Sequence, residues 1–265
     1  MRASPTFALL LVLLWSSLAP DTAPAEGLEG LAPAATLRVT EIVDGDTLVL
    51  ADGRQVRLVG IQAPKLPLGR PGFKAWPLAE AAKAALAELT LAREVTLHYG
   101  GSRVDRHGRA LAHLTDASGL WIQGELLSRG LARVYSFADN RALVGEMLAR
   151  ESAARRAGRG IWADPFYAVL NPAEAARRIG GFELVEGRVL AAAVVRGRAY
   201  LIFGPDWKSD FSVTLDAATR RRFAAEGIDP LAYEGRVLRI RGWVKSYNGP
   251  MIEVTHPEQI EVLEE

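Results

Sequence analysis

From residue 36 to residue 59 the chain alternates apolar and polar positions in three short runs: Leu37-Arg38-Val39-Thr40-Glu41-Ile42-Val43, Thr47-Leu48-Val49-Leu50 and Gln55-Val56-Arg57-Leu58-Val59. A period of two marks strands with one buried face, and Gly45 and the Asp52-Gly53 pair supply the tight turns between them. The period then changes. Leu78, Ala82, Leu86 and Leu89 fall near one face of an alanine-rich helix over 77–89, with Pro77 suited to its first position. Strands at 94–99 and 110–114 complete a five-stranded set. A second helix at 122–129 is stopped by Gly130, and Asp139 or Asn140 is placed to cap a third that runs through Leu143, Met147, Leu148 and Ala154 to Gly158. Short strands joined by tight turns predict a small barrel with three packed helices.

Between 164 and 181, Pro165, Pro172 and the Gly180-Gly181 pair surround one short helical stretch and mark a boundary. Strand patterns follow at 183–190, 198–203, 211–215, 235–247, 251–255 and 259–263, interrupted by a helix from Asp216 to Gly227. The expected fold class is therefore α+β, mostly β, with two tandem OB-like five-stranded barrels. The first spans 36–163, a linker covers 164–181, and the second barrel spans 182–264.

With 265 residues, 49% hydrophobic and 24% charged, the chain has the material for one large core or two small ones. Arg2 followed by an apolar run from Phe7 to Leu18, then Ala23-Pro24-Ala25, predicts a signal peptide over 1–25 cleaved after Ala25, with export to the periplasm or beyond. The apolar run is shorter than the ~18 to 20 residues a membrane span requires, so no membrane span is expected. The absence of cysteine excludes disulfides, a lipidated cysteine and thiolate metal sites. His98, His107, His113 and His256 show no paired spacing that suggests a metal centre. A net charge of +1 excludes a globally basic nucleic-acid binder, so any phosphate affinity must come from local arginines.

Three motifs concentrate such chemistry: Val43-Asp44-Gly45-Asp46-Thr47, the strand from Arg57 that continues to Gln62-Ala63-Pro64-Lys65, and Asp105-Arg106-His107-Gly108-Arg109. Planar guanidinium forks suit a phosphate, and carboxylates in a tight turn suit a hard cation. Each feature also has a simpler explanation, since an Asp-Gly turn bonds its own backbone in many proteins and a lone arginine usually makes a surface ion pair. Taken in order and spacing, the three motifs resemble the staphylococcal nuclease, or thermonuclease, family. Gly130-Leu131-Ala132-Arg133-Val134 and Gly160-Ile161-Trp162 extend the resemblance over about residues 37–162. The second module resembles the C-terminal extension of some bacterial thermonuclease-like proteins.

The resemblance implies that Arg57 and Arg109 are the catalytic, phosphate-binding arginines and that Asp46 and Asp44 belong to a calcium site. It also exposes two departures. The family's general-base Glu is replaced by Lys65, and a calcium-ligand Asp by Gln62. Gln62 retains a neutral amide oxygen, but Lys65 brings a positive charge, so calcium is expected to be weakly held or absent. General-base assistance contributes about 10²- to 10⁴-fold and a metal several kcal/mol more, so losing both costs on the order of 10⁵-fold or more. Lys65 is expected to occupy the cation's place and pair with Asp46, unless Glu41, Asp44 or Glu80 supplies a substitute base. His107, Tyr135 and Phe137 are candidates for stacking on a nucleotide, Tyr135 and Phe137 being equally suited to core packing.

In the second module Arg239, Arg241, Trp243 and Lys245 share one parity of a strand whose other parity is Leu238, Ile240 and Val244. That face suits single-stranded nucleic acid, and equally an ordinary solvated surface. The resulting expectation is an exported protein that binds nucleic-acid phosphodiesters on a nuclease scaffold lacking its base. The alternative is a catalytically silent binding or assembly module of the cell envelope, with a protein partner not specified by sequence.

Overall fold

The computed structural model describes residue 28 and residues 30–264, so the expected signal peptide lies outside the described residues. The strands β1 (Pro33–Asp44), β2 (Thr47–Leu50), β3 (Gln55–Leu58), β4 (Ile61–Gln62), β5 (Glu94–His98) and β6 (Ala110–Asp116) form the first module, and all but β4 close into a barrel in the order β1-β2-β3-β6-β5. Within this barrel β3 and β6 pair in parallel and the other neighbours pair antiparallel. The twelve-residue β1 serves both β2 and β5 because register shifts along it, between Val39 and Glu41 and between Ile42 and Asp44, bend the strand around the barrel. The inward parity supplies the core: Leu48, Leu50, Val56, Leu58, Val95, Leu97, Ala112 and Leu114 are all fully buried or nearly so.

Three helices, α1 (Ala79–Thr90), α2 (Ile122–Ser128) and α3 (Val144–Arg156), pack on this core through Leu86, Ile122, Leu126 and Met147. α2 starts at Ile122 as expected, but the other two starts differ from the sequence expectation. Pro77 precedes the first helix rather than opening it, because Leu78 takes a left-handed turn (φ 62°) before Ala79. Leu143 does the same (φ 61°) before α3, and neither Asp139 nor Asn140 caps that helix. Both are committed elsewhere: Asp139 accepts from the Ser102 hydroxyl at 2.7 Å, and Asn140 donates to the Ser102 carbonyl at 3.0 Å. A two-residue strand, β7 (Arg133–Val134), pairs with β4 beside the barrel and was too short to show as a period in the sequence.

The second module contains β8 (Phe182–Arg188), β9 (Ala191–Val195), β10 (Arg198–Ile202), β11 (Ser212–Leu215), α4 (Ala217–Ala225), β12 (Val237–Ser246), β13 (Pro250–Glu253) and β14 (Ile260–Glu264). Its sheet has seven strands, in the order β14-β12-β13-β11-β10-β9 with β8 on β12, one more than the six strand patterns read from the sequence and two more than a five-stranded barrel. The extra count includes β9, whose Ala-Ala-Ala-Val-Val sequence has no polar alternation because it is a largely exposed strand at the end of the sheet. Asp216 caps α4 as its sequence suggests, its carboxylate accepting from Thr219 N at 2.7 Å. A separate core of Leu201, Phe211, Val213, Phe223, Leu238 and Ile252 lies under this sheet.

The stretch between the modules is tied down at several points. Tyr167 donates its hydroxyl to the Pro77 carbonyl at 2.7 Å, Phe166 packs on Trp76, and Leu170 exchanges backbone hydrogen bonds with Leu184 and Glu186 of β8. The modules then meet through a buried ionic cluster. Arg241 of β12, 1% exposed, spans both oxygens of Glu151 on α3 at 3.0 Å, and Glu261 accepts from the same guanidinium. Glu151, itself inaccessible, also accepts from Arg155 and from the Val134 backbone N–H. Around this centre Arg141 bridges Glu226 and Glu258, and Ser136 meets the buried His256 ring at 2.7 Å. Among the described residues no helix is long and apolar enough to cross a membrane.

Candidate nucleic-acid site

The Asp44-Gly45-Asp46 turn joins β1 to β2 and is wedged against the chain that follows β4. A Cβ on Gly45 would stand 2.7 Å from the Cβ atoms of both Ala63 and Ala82, so only glycine lets the turn approach this closely. That approach places Asp46 among donors from β3 and from the segment after β4. Its carboxylate accepts from Ala63 N at 2.7 Å and from Lys65 Nζ at 2.6 and 2.8 Å, and Arg57 Nη2 stands 3.3 Å away. Asp44 accepts from Asp46 N at 3.0 Å and lies 3.5 Å from the same ammonium. Lys65 therefore sits over both acids of the turn.

The electrostatics follow from that packing. Burial alone would raise the pKa of Asp46, but Arg57 and Lys65 outweigh it and hold the carboxyl at about 2. Asp44 is pushed up by burial and by the charge of Asp46, which Lys65 offsets only in part. Gln62 turns away from the two aspartates. Its Oε1 accepts from Arg133 Nε and Nη2 at 3.0 and 2.8 Å, so the amide oxygen that seemed free for a cation is already committed. Among the described residues no group of three or more histidine, aspartate or glutamate side chains could hold a metal ion.

Beside this cluster a cleft of about 570 Å³ opens, and its lining includes Arg57, Gly60, Ile61, Arg106, His107 and Arg109 together with Tyr135, Phe137 and Trp243. Arg57 is held rigidly at its edge, donating to the Leu58 carbonyl at 2.9 Å and the Ile61 carbonyl at 2.7 Å. Arg109 is aimed by Asp105, which takes its Nε at 2.8 Å and Nη2 at 2.7 Å. Asp105 also collects the backbone N–H groups of His107 and Arg109, which shapes the turn at Gly108 (φ 79°). Arg106 donates to the His107 ring at 3.1 Å. Glu41 and Glu80 are both exposed and line no part of the cleft.

The structure thus brings Arg57, Arg109, His107, Tyr135, Phe137 and Trp243 to one cleft, with Asp44, Asp46 and Lys65 behind Arg57. It separates the proposed second-module face. Arg241 is no nucleic-acid contact, because it is buried against Glu151 and Glu261. Arg239 is held by Glu186 at 2.8 Å and by Glu261 at 3.4 Å, and Lys245 by Glu253 at 2.7 Å. Trp243 alone of that set reaches the cleft.

Sequence reasoning assigned no role to Arg106, Arg133 or Glu151. Glu151 had a legible signal: it shares the buried face of α3 with Val144, Met147 and Ala154, and a charge at a core position requires a partner.

Residues 55–164 match the family described as Staphylococcal nuclease homologue, a similarity in agreement with the motifs and the closed barrel. The match does not extend over the second module. Comparison with curated proteins finds no significant match.

Proposed function

We propose that this staphylococcal nuclease-like domain holds the phosphodiester of a single-stranded nucleic acid in its cleft without hydrolysing it. The observation that carries the reading is the Lys65 ammonium, 2.6 Å from Asp46 and 3.5 Å from Asp44. Family members generally depend on calcium. Here the donor set does not suit that ion. Its two carboxylates already face a cation, Gln62 is turned to Arg133, and calcium prefers 6 to 8 oxygen ligands. The ammonium also has no lone pair with which to deprotonate water, so the residue at the base position cannot serve as a base.

What remains is recognition. Arg57, which donates to two backbone carbonyls and stands 3.3 Å from Asp46, and Arg109, which is paired with Asp105, bring fixed guanidinium groups to the cleft lining. Charge-assisted hydrogen bonds of this kind are roughly twice as strong as neutral ones. The aromatic residues of the same cleft, Tyr135, Phe137 and Trp243, suit the bases of an unpaired strand. Fluorescence anisotropy with a labelled single-stranded oligonucleotide tests this. Micromolar or tighter binding that falls steeply with salt, weakened about 10-fold or more by Arg57→Ala or Arg109→Ala, is expected. Binding that ignores salt and both substitutions would sink the reading.

A second reading, an assembly module of the cell envelope that binds protein, is favoured by one observation. The basic residues of β12 are matched by acids of their own module or of α3, leaving little unpaired positive charge there. Export itself is proposed from the apolar run Phe7 to Leu18 and the Ala23-Pro24-Ala25 sequence. Sequencing the N-terminus of the mature protein is expected to start at Glu26, and an uncleaved Met1 would contradict it.

A further inference from the structure

We propose that the nucleotide site is shared between the two modules, with the indole of Trp243 stacking on the base next to the phosphate that Arg57 and Arg109 hold. This rests on the nucleic-acid reading of the cleft and adds to it a residue from outside the matched nuclease segment. Trp243 lies on β12, 45% exposed, and lines the cleft with part of its indole open to a ligand. Its ring is nevertheless held in one orientation. Trp243 Nε1 donates to the Tyr135 hydroxyl at 3.0 Å, and Phe182 meets the indole edge-on with ring centroids 6.2 Å apart. Tyr135 is itself fixed between Phe137 and Phe182, at 4.8 and 4.7 Å in near-perpendicular contacts.

An aromatic face that is both exposed and immobilised costs little entropy when a flat ligand covers it. The strand that carries Trp243 cannot drift from the cleft, because Arg241, two residues earlier, is locked to Glu151 of α3. Arginines outnumber acids in the cleft lining, with Arg57, Arg106 and Arg109 against Asp105 and Asp139. Of the cleft's two aspartates, Asp105 is spent on Arg109, and Asp139 accepts from Ser102. A cleft lined by both arginines and aromatics suits a strand whose bases are free to splay, since in a duplex each base face is already stacked. The ligand class is therefore single-stranded nucleic acid, and its recognition requires both modules.

The test compares two labelled single strands of the same length, one with all its bases and one abasic at its central positions, against wild type, Trp243→Ala and Trp243→Phe. Trp243→Ala is expected to weaken binding of the complete strand about 5- to 150-fold, the range given by stacking of one base, and to leave the abasic strand unchanged. Trp243→Phe keeps a stacking face without the Nε1 donor and is expected to retain most of the affinity. Unchanged binding of the complete strand by Trp243→Ala, with Arg57→Ala still impaired, would overturn this inference while sparing the phosphate site. Equal weakening of both strands would also overturn it, since the indole would then act only by propping Tyr135. A wild-type protein that binds neither strand would overturn the nucleic-acid reading itself.

Discussion

The molecule contains two buried clusters of opposite charges, and they are buried to different depths. Between the modules, Arg241 and Glu151 are 1% and 0% exposed, and Glu151 takes donors from Arg241, Arg155 and Val134. Behind the cleft, Asp46 is equally inaccessible, but its partner Lys65 keeps 19% of its side chain exposed. A pair closed on all sides fixes geometry and little else. A pair open on the cationic side is a site where another cation could stand once the ammonium is removed. The first cluster holds Trp243 at the cleft, and the second lies beside Arg57 of the cleft lining.

The largest expected effect comes from breaking the closed pair. Arg241→Ala strands the Glu151 carboxylate in a dry interface and is expected to destabilise the protein by about 3 to 5 kcal/mol in urea denaturation, whereas Arg241→Met with Glu151→Leu recovers most of that loss. If the single substitution costs no more than an exposed pair, the interface is not the closed unit described here.

Acid should come next. Burial draws His256 down from 6.5 to about 4 and, together with the nearby His98, draws His113 down to about 3, so both rings are neutral in the folded protein. The unfolded chain binds those protons first, so their contribution to stability is complete above pH 6.5 and is lost as the pH falls towards those values. For His256 alone this amounts to roughly 3 kcal/mol. Asp46 adds its own loss only below 3.8. His256→Asn, which can still bond Ser136, should flatten the slope between pH 6.5 and 4 seen in thermal melts, and an unchanged slope would remove His256 from the interface account.

Opening the cleft cluster sharpens the comparison further. Lys65→Glu places a third carboxylate beside Asp44 and Asp46, and is expected to lower the melting temperature in chelator and to restore it with millimolar calcium. Bound at 100 times its dissociation constant, an ion stabilises by about 2.7 kcal/mol. Wild type should show no calcium shift, and a rise in its melting temperature would mean that Lys65 does not exclude the ion. The smallest effect is expected at Tyr135→Phe, which removes the hydroxyl that orients Trp243 and should cost about 0.5 to 1.5 kcal/mol of stability with a modest loss of oligonucleotide affinity.

Much of this was legible in the sequence. The strands of the first barrel and α4 with its Asp216 cap follow from periodicity and turn residues, and the meeting of Asp46, Lys65, Arg57 and Arg109 follows from motif order. What escaped has physical reasons. Parity places Arg241 on one side of β12 but cannot tell whether that side meets water or α3. Gln62 looked like a free oxygen donor because its partner, Arg133, is distant in sequence and adjacent only through the β4–β7 ladder. The exposed β9 lacked any alternation to read.

The central claim is that the cleft binds a phosphodiester and leaves it whole. Its most direct test is to incubate purified mature protein with single-stranded DNA and RNA, in calcium and in chelator, and to follow binding and cleavage in the same samples beside Gln62→Asp/Lys65→Glu. Binding by wild type with no cleavage in either condition, and calcium-dependent cleavage only in the double variant, is the predicted result. Calcium-dependent cleavage by wild type that disappears with Arg57→Ala would contradict it.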